Sequence, residues 1–130
     1  MDEQNKVIIY TASDGQTKID VKLEDETLWL TQAQMCELYQ TSRTNVVEHI
    51  KHIYEEGELE KEATCRNFRQ VREEGGRKVE REMTFYNLDM IIALGYRVRS
   101  IIATRFRQWA TLRLKEYMVK GFTLDDERLK

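Results

Sequence analysis

Two closely spaced helix starts between residues 29 and 54 constrain the fold of this chain more than any other feature. Thr31 is followed three residues later by Gln34, which is the spacing of a capping box at a helix N-terminus. Apolar residues then recur at helical spacing as far as Gln40, and Ser42 is placed to cap a second helix. The sequence therefore predicts two short helices joined by a tight turn.

The second predicted helix has an apolar side and a polar side. Its apolar positions are predicted to be Val46, Val47, Ile50, Ile53 and Tyr54. The positions predicted to face outward are Arg43, Thr44, Asn45, Glu48 and Lys51. A helix that enters the major groove of DNA touches base edges with its N-terminal residues, so that end needs short or forked hydrogen-bonding groups. We interpret the two helices as a helix-turn-helix, and an ordinary helical hairpin within a core is the open alternative.

The turn between these helices departs from the common helix-turn-helix pattern at three positions. Gln40 stands where glycine usually makes the turn, Thr41 where an apolar residue is common, and His49 where the second helix is usually buried. Because residues other than glycine rarely adopt a positive φ, we expect this turn to have a different shape.

Two β-hairpins are predicted, one on each side of the helix pair. Residues 7–10 and the strictly alternating residues 18–24 form the first hairpin, within a region that spans residues 1–30. After this hairpin, the apolar residues 28–30 are expected to pack the chain onto the first helix. The second hairpin spans residues 63–86.

The second hairpin carries basic residues next to a glycine-rich turn at Gly75 and Gly76. A hairpin directly after a helix-turn-helix is placed to act as a wing, and Arg77 and Lys78 are predicted to contact DNA from it. The open alternative is a solvent-exposed hairpin of mixed charge, because glutamates alternate with the basic residues.

Residues 87–121 are predicted to form two helices, before a tail at residues 122–130. Asn87 is placed to cap the first of them, and Gly95 is expected to end or bend it. The second helix is expected to end at Gly121. Its aromatic residues are interpreted as part of the core, because large aromatic side chains at helical spacing bury well.

Charge is unevenly distributed along the 130 residues, although the formal net charge is only −2. Residues 1–30 contain seven acidic and three basic residues, and residues 53–62 contain five acidic and one basic. Residues 66–82 contain six basic and four acidic residues, and residues 97–120 contain seven basic and one acidic. A protein that binds nucleic acid needs a basic surface on one side only, so the net charge does not exclude that function.

Other classes of protein have little support in the sequence. No apolar run approaches the roughly 20 residues that span a bilayer, and Met1 is not followed by an apolar signal segment. Cys36 and Cys65 are far apart, so we expect reduced thiols in a cytoplasmic protein. His49 and His52 lack a third metal ligand and are interpreted as surface or interface residues. We therefore expect no enzyme activity, no catalytic residues, no cofactor and no metal.

Three segments of the chain resemble the RhuM family of bacterial virulence-associated proteins. They are LEDETLWLTQAQMCELYQTSRTNVVEHIKHIYEEGEL, FYNLDMIIALGYRV and RFRQWATLRLKEYMVKGF. Residues 86–121 are also distantly similar to the end of the Bro-N domain of phage antirepressors. The resemblance implies an N-terminal DNA-binding domain with a regulatory role. Members of the family are usually longer, which leaves room for a further C-terminal domain or a protein partner.

Taken together, residues 1–130 are predicted to form one α+β domain with an N-terminal β-hairpin, a winged helix-turn-helix-like core at residues 31–54 and 63–86, and C-terminal helices. Its expected function is transcription regulation through binding of double-stranded DNA, as a homodimer and without any contact with a membrane. The predicted DNA-binding residues are Ser42, Arg43, Thr44, Asn45, Lys51, Arg77 and Lys78. The alternative is a protein-interaction or antitoxin-like module without affinity for DNA.

Overall fold

The computed structural model describes the backbone of residues 6–129 and the side chains of residues 6–117. The described chain contains five strands and five helices, in agreement with the predicted α+β class. The strands are β1 (Lys6–Thr11), β2 (Lys18–Glu24), β3 (Thr27–Leu30), β4 (Cys65–Glu74) and β5 (Arg77–Asn87). The helices are α1 (Gln32–Tyr39), α2 (Arg43–Glu55), α3 (Lys61–Thr64), α4 (Leu88–Val98) and α5 (Ser100–Leu129).

All five strands form one antiparallel sheet in the order β1-β2-β3-β5-β4. The short strand β3 joins the two predicted hairpins, because it pairs with β2 on one side and with the end of β5 on the other. The sequence predicted packing of residues 28–30 onto the first helix but not this strand. Asp25 and Glu26 turn the chain with positive φ values of 55° and 62°, the geometry of a tight two-residue hairpin, and this turn directs β3 into the sheet.

One face of the sheet packs against the helices and forms the core. The alternating residues of β2 supply this face, with Ile19, Val21 and Leu23 buried and the residues between them turned away. Two aromatic residues of α5, Phe106 and in part Trp109, belong to the same core, as predicted, whereas Tyr117 is exposed. Phe106 is fully buried, and its ring centroid lies 5.0 Å from that of Tyr10 in an edge-to-face arrangement.

The opposite face of the sheet carries a smaller aromatic cluster at the base of the second hairpin. Phe68 of β4 packs edge to face against Trp29, with a centroid distance of 5.3 Å, and against Phe85, at 5.4 Å. The Lys22 ammonium lies 4.6 Å from the ring centroid of Phe68, and the Arg66 guanidinium lies 4.7 Å from that of Trp29. These contacts fix the base of the β4–β5 hairpin to the sheet.

Gly95 lies inside α4, which continues to Val98, so the expected helix end at this residue is wrong. The residue is buried, and a Cβ atom added there would lie 2.2 Å from the hydroxyl oxygen of Tyr39. That hydroxyl donates a buried 2.6 Å hydrogen bond to the backbone carbonyl of Ile91. Glycine is therefore present because α4 and the Tyr39 side chain approach each other closely.

The last helix is also longer than predicted. α5 runs to Leu129, so the expected end at Gly121 is wrong, and most of the predicted tail at residues 122–130 is helical. A glycine inside a helix costs only about 0.5–1 kcal/mol relative to alanine, which is too little to end a long helix.

Candidate nucleic-acid interface

The first helix of the candidate interface begins with the predicted capping box. The Thr31 hydroxyl accepts a hydrogen bond from the Gln34 backbone N–H at 3.2 Å, and the Gln34 side-chain oxygen accepts one from the Thr31 N–H at 2.9 Å. α1 ends at Gln40, whose φ and ψ of 54° are left-handed. Gln40 therefore adopts the conformation that glycine usually supplies, and the expectation of a differently shaped turn is wrong at this residue.

Two of the predicted DNA-binding residues hold the turn between the helices. The Ser42 hydroxyl caps α2 by accepting a 3.0 Å hydrogen bond from the backbone N–H of Asn45. The side-chain amide of Asn45 donates a 2.8 Å hydrogen bond back to the Thr41 hydroxyl. This pair of bonds fixes the direction in which the first turn of α2 points.

The outer side of α2 is exposed along its length, as the polar pattern predicted. Arg43 and Thr44 lie in its first turn and Lys51 lies two turns further on, and all three side chains are exposed. Arg43 and Lys51 form no salt bridge with any described side chain. Glu48 brings a negative charge to the same side and lies 3.9 Å from the exposed His52.

Val47 is exposed to 42%, although it was predicted to belong to the apolar side of α2. The reason is geometric, because successive residues on a helix are rotated by about 100° and two adjacent residues cannot both point to the centre of one face. Val46, Ile50 and Ile53 occupy the buried side. The spacing of these three residues is the signal that distinguishes Val47 from them.

His49 is half-buried, and its Nδ1 atom has no hydrogen-bond partner among the described residues.

The β4–β5 hairpin forms as predicted and places Arg77 and Lys78 at its tip. Its two-residue turn uses Gly75 and Gly76 with positive φ values of 59° and 79°, the conformation that such hairpins require. Arg77 and Lys78 are exposed and have no salt-bridge partner within the described part of the chain.

Other charges on this hairpin are paired with one another. Arg81 makes two hydrogen bonds to the Glu74 carboxylate, at 2.8 and 3.1 Å, and these bonds lower the pKa of Glu74. Arg69 lies 3.8 Å from Glu80. The exposed position of these pairs makes their contribution to stability small. Their positive charges are partly neutralised, and Arg77 and Lys78 at the tip lie opposite Glu74 and Glu73 across the hairpin without a salt bridge to a described residue.

The predicted residues form two groups on the surface, one at the start of α2 and one at the tip of the hairpin. Tyr86, where β5 pairs with β3, is nine positions after Arg77. Nine steps of extended strand correspond to roughly 30 Å, which is the distance from the base of the hairpin to its tip. Ala33 of α1 lines one depression together with Arg72 of the hairpin and a second together with Ser42. The exposed side of α1 therefore lies between the hairpin and the start of α2.

Much of the basic segment at residues 97–120 is bound to groups of the protein itself. Arg97 donates hydrogen bonds to Glu56 at 2.7 Å and to Glu58 at 2.8 Å, which ties α4 to the end of α2 and lowers the pKa of Glu56. Three further arginines bond to Ser13, Tyr96 and Glu116, and these are Arg105, Arg107 and Arg113, respectively. Arg97 and Arg113 are thus paired with carboxylates, whereas Arg105 and Arg107 bond to neutral hydroxyl groups and keep their positive charge.

Within the described residues, no group of three or more His, Cys, Asp or Glu side chains is arranged to hold a metal ion. Between residues 6 and 129, no helix is both long enough and apolar enough to cross a membrane.

These features define an α+β domain with a five-stranded antiparallel sheet and five described helices. Two of the helices, α1 and α2, form a polar two-helix unit, and two of the strands, β4 and β5, form a projecting hairpin. The chain belongs to the virulence protein RhuM family, whose family model matches residues 63–130, just over half of the sequence. The match includes the β4–β5 hairpin, α4 and α5, and it begins after α2. No curated protein and no solved structure matches the chain.

Proposed function

We propose that this chain is the DNA-binding domain of a transcription regulator, with α1 and α2 as a helix-turn-helix. The observation that carries the proposal is the exposed polar start of α2 on a buried apolar support. Arg43 and Thr44 point away from the protein, while Val46 and Ile50 anchor the helix to the core. A recognition helix needs this combination, because it must reach base edges without losing its fixed orientation.

The arrangement of the sheet supports a wing formed by β4 and β5. β3 leads directly into α1 and pairs with β5, so the hairpin is attached beside the two helices. At the tip of the hairpin, Arg77 and Lys78 are free of salt bridges to described residues and suit contacts with phosphate groups. The exposed side of α1, next to Ala33, connects this hairpin with the start of α2.

The seven predicted residues have different roles in this proposal. Arg43, Thr44 and Lys51 contact bases and phosphates from α2, and Arg77 and Lys78 contact phosphates from the wing. Ser42 and Asn45 act mainly by fixing the turn, because both already form hydrogen bonds within it. The protein binds as a homodimer, since one helix-turn-helix covers little DNA and two-fold operators match two-fold proteins. No catalytic activity is part of the proposal.

Fluorescence anisotropy with the whole chain tests the proposal directly. Random and genomic duplexes are titrated at several salt concentrations. We expect micromolar or tighter binding at low salt that weakens steadily as salt is added, because Lys and Arg side chains displace the counterions of the phosphates. An absence of binding at low salt would refute the proposal.

A second candidate function is a protein-interaction module without affinity for DNA. Two exposed apolar residues of α5 favour it, since Ile101 is 66% exposed and Leu112 is 60% exposed. The aromatic residues of the same helix do not contribute in full, because Phe106 is buried in the core. Co-purification with a partner, together with no salt-dependent binding of any duplex, would favour this function over the first.

A further inference from the structure

Val47 is an apolar residue on the side of α2 that the proposed function places in the major groove. Its neighbour Val46 is fully buried, whereas Val47 is 42% exposed. A single exposed valine is ordinary on a protein surface and needs no explanation by itself. Val47 is relevant to DNA recognition because it lies next to other exposed residues of α2.

Helix geometry places Val47 on the flank of the exposed side of α2, between the buried Ile50 and the exposed Thr44 and Lys51. It follows Thr44 by three residues and precedes Lys51 by four, and residues at these spacings are neighbours on a helix surface, about 5–6 Å apart at Cβ. All three side chains are exposed, and Ile50, three residues after Val47, marks the edge of the buried side of the helix. A duplex that contacts Thr44 and Lys51 would therefore also contact Val47.

We infer that α2 recognises a thymine through Val47, whose methyl groups pack against the C5-methyl group of that base. The inference rests on the proposed function. Among the four bases, thymine alone presents a methyl group in the major groove, and apolar side chains contact it there. Valine has no hydrogen-bonding group, so it gains nothing from the polar edges of the other bases. Thr44, three residues earlier on the helix surface, also carries a methyl group.

The residues around Val47 indicate what flanks this thymine. Arg43 precedes it by one helical turn, and a free guanidinium suits two hydrogen bonds to a guanine. Glu48 lies next to it, and a carboxylate there can accept a hydrogen bond from a cytosine amino group and repels misplaced phosphates. The recognised half-site is therefore expected to contain a thymine close to a G·C pair.

A thymine-to-deoxyuridine scan tests this inference, because the exchange removes one methyl group and leaves every hydrogen-bonding group in place. Duplexes bound by the whole chain are first selected from a random pool. Each thymine of the best duplex is then replaced singly, and affinities are measured by fluorescence anisotropy. At one thymine of each half-site we expect a loss of about fourfold, which corresponds to about 0.8 kcal/mol for one buried methyl group.

The variant Val47→Ala should bind the thymine duplex about fourfold more weakly than the natural chain and should bind the thymine and deoxyuridine duplexes equally. Leu112→Ala is the control, because Leu112 is an exposed aliphatic residue, at 60%, on a helix outside the proposed interface. It should retain the full preference for thymine. Thermal unfolding verifies that both variants fold, as expected for exposed positions.

Three results overturn the inference. The thymine contact is wrong if the natural chain binds every deoxyuridine duplex with the same affinity as the thymine duplex. It is also wrong if Val47→Ala keeps the full preference for thymine over deoxyuridine. In both cases DNA binding itself stands. If the chain binds no duplex at low salt, the proposed function fails, and the thymine contact fails with it. Val47 would then be a candidate contact for a protein partner.

Discussion

Replacement of Gly95 by alanine should destabilise this protein, although the same change in most helices is stabilising. Alanine inside a helix is normally favoured over glycine by about 0.5–1 kcal/mol. At Gly95, the new Cβ atom would lie 2.2 Å from the Tyr39 hydroxyl oxygen, 2.4 Å from its Cζ atom and 2.7 Å from the Cβ atom of Ala103. No real Cβ atom tolerates contacts this short, so either α4 or the Tyr39 ring must move.

Neither group can move without losing contacts. Tyr39 is fully buried, and its hydroxyl group is bonded to the Ile91 carbonyl within α4 itself. Forcing an extra carbon into a packed core costs typically about 1–3 kcal/mol. We therefore expect Gly95→Ala to lower the free energy of unfolding by about 1–3 kcal/mol, which reverses the sign of the ordinary helix effect.

Urea unfolding followed by the fluorescence of Trp29 and Trp109 measures this change. The midpoint should fall for Gly95→Ala while the dependence on urea stays the same, since the folded structure is otherwise retained. In a double-mutant cycle with Tyr39→Leu, the cost of Gly95→Ala should become smaller, because the nearest obstructing atoms are gone. An unchanged or higher midpoint for Gly95→Ala would refute the reasoning, and so would strictly additive effects in the cycle.

Three further predictions concern the proposed interface and the contacts that hold it. Arg43→Ala should weaken binding of the preferred duplex by about 1–3 kcal/mol and relax the specificity of the protein. Lys78→Ala should instead weaken binding to all sequences and reduce the slope of log affinity against log salt concentration by about 1. Fluorescence anisotropy measures both effects. Tyr39→Phe should lower the free energy of urea unfolding by about 1 kcal/mol, because a buried carbonyl loses a hydrogen-bond donor. The hydrogen bond from Arg97 holds the pKa of Glu56 below its ordinary value of 4.5. The Arg97–Glu56 pair should therefore stabilise the folded state above pH 4.5, and this contribution should be lost as the pH falls through the lowered pKa of Glu56. Urea unfolding between pH 7 and pH 3 measures this loss, and Arg97→Gln should flatten it.

Each of these predictions has a result that contradicts it. Equal losses for Arg43→Ala on preferred and random duplexes would contradict a role in reading bases. A Tyr39→Phe variant as stable as the natural chain would contradict a contribution of its hydrogen bond to stability. If Arg97→Gln leaves the pH dependence of unfolding unchanged, the lowered pKa of Glu56 does not contribute to that dependence.

The features that the sequence predicted correctly depend on residues close together in the chain. The capping box at Thr31, the cap at Ser42 and the glycine turn of the second hairpin each require only three or four neighbouring residues. Helix and strand periodicity then locates the elements between these points. For the same reason, the exposure of Arg43 and of Arg77 could be predicted from local pattern alone.

The features that the sequence did not predict depend on residues that are distant in the chain. Gly95 resembles a helix end in the sequence, because the residue that requires it, Tyr39, is 56 positions away. β3 is short and apolar, and although it pairs with the nearby β2, its partners on the other side, Tyr86 and Asn87, are far away in the chain. For the candidate site, the sequence also could not show that α1 lies between the hairpin and the start of α2.

The hydrogen bond from Tyr39 to Ile91 and the bonds from Arg97 to the end of α2 have a consequence for attempts to dissect this domain. A peptide limited to residues 31–54 would lose α4, and Tyr39 and the buried side of α2 would then be left facing water. Such a fragment should be largely unfolded in isolation, because short helices without tertiary packing are marginal in water. A failure of the fragment to bind DNA would therefore report loss of its shape and would not test the proposed contacts.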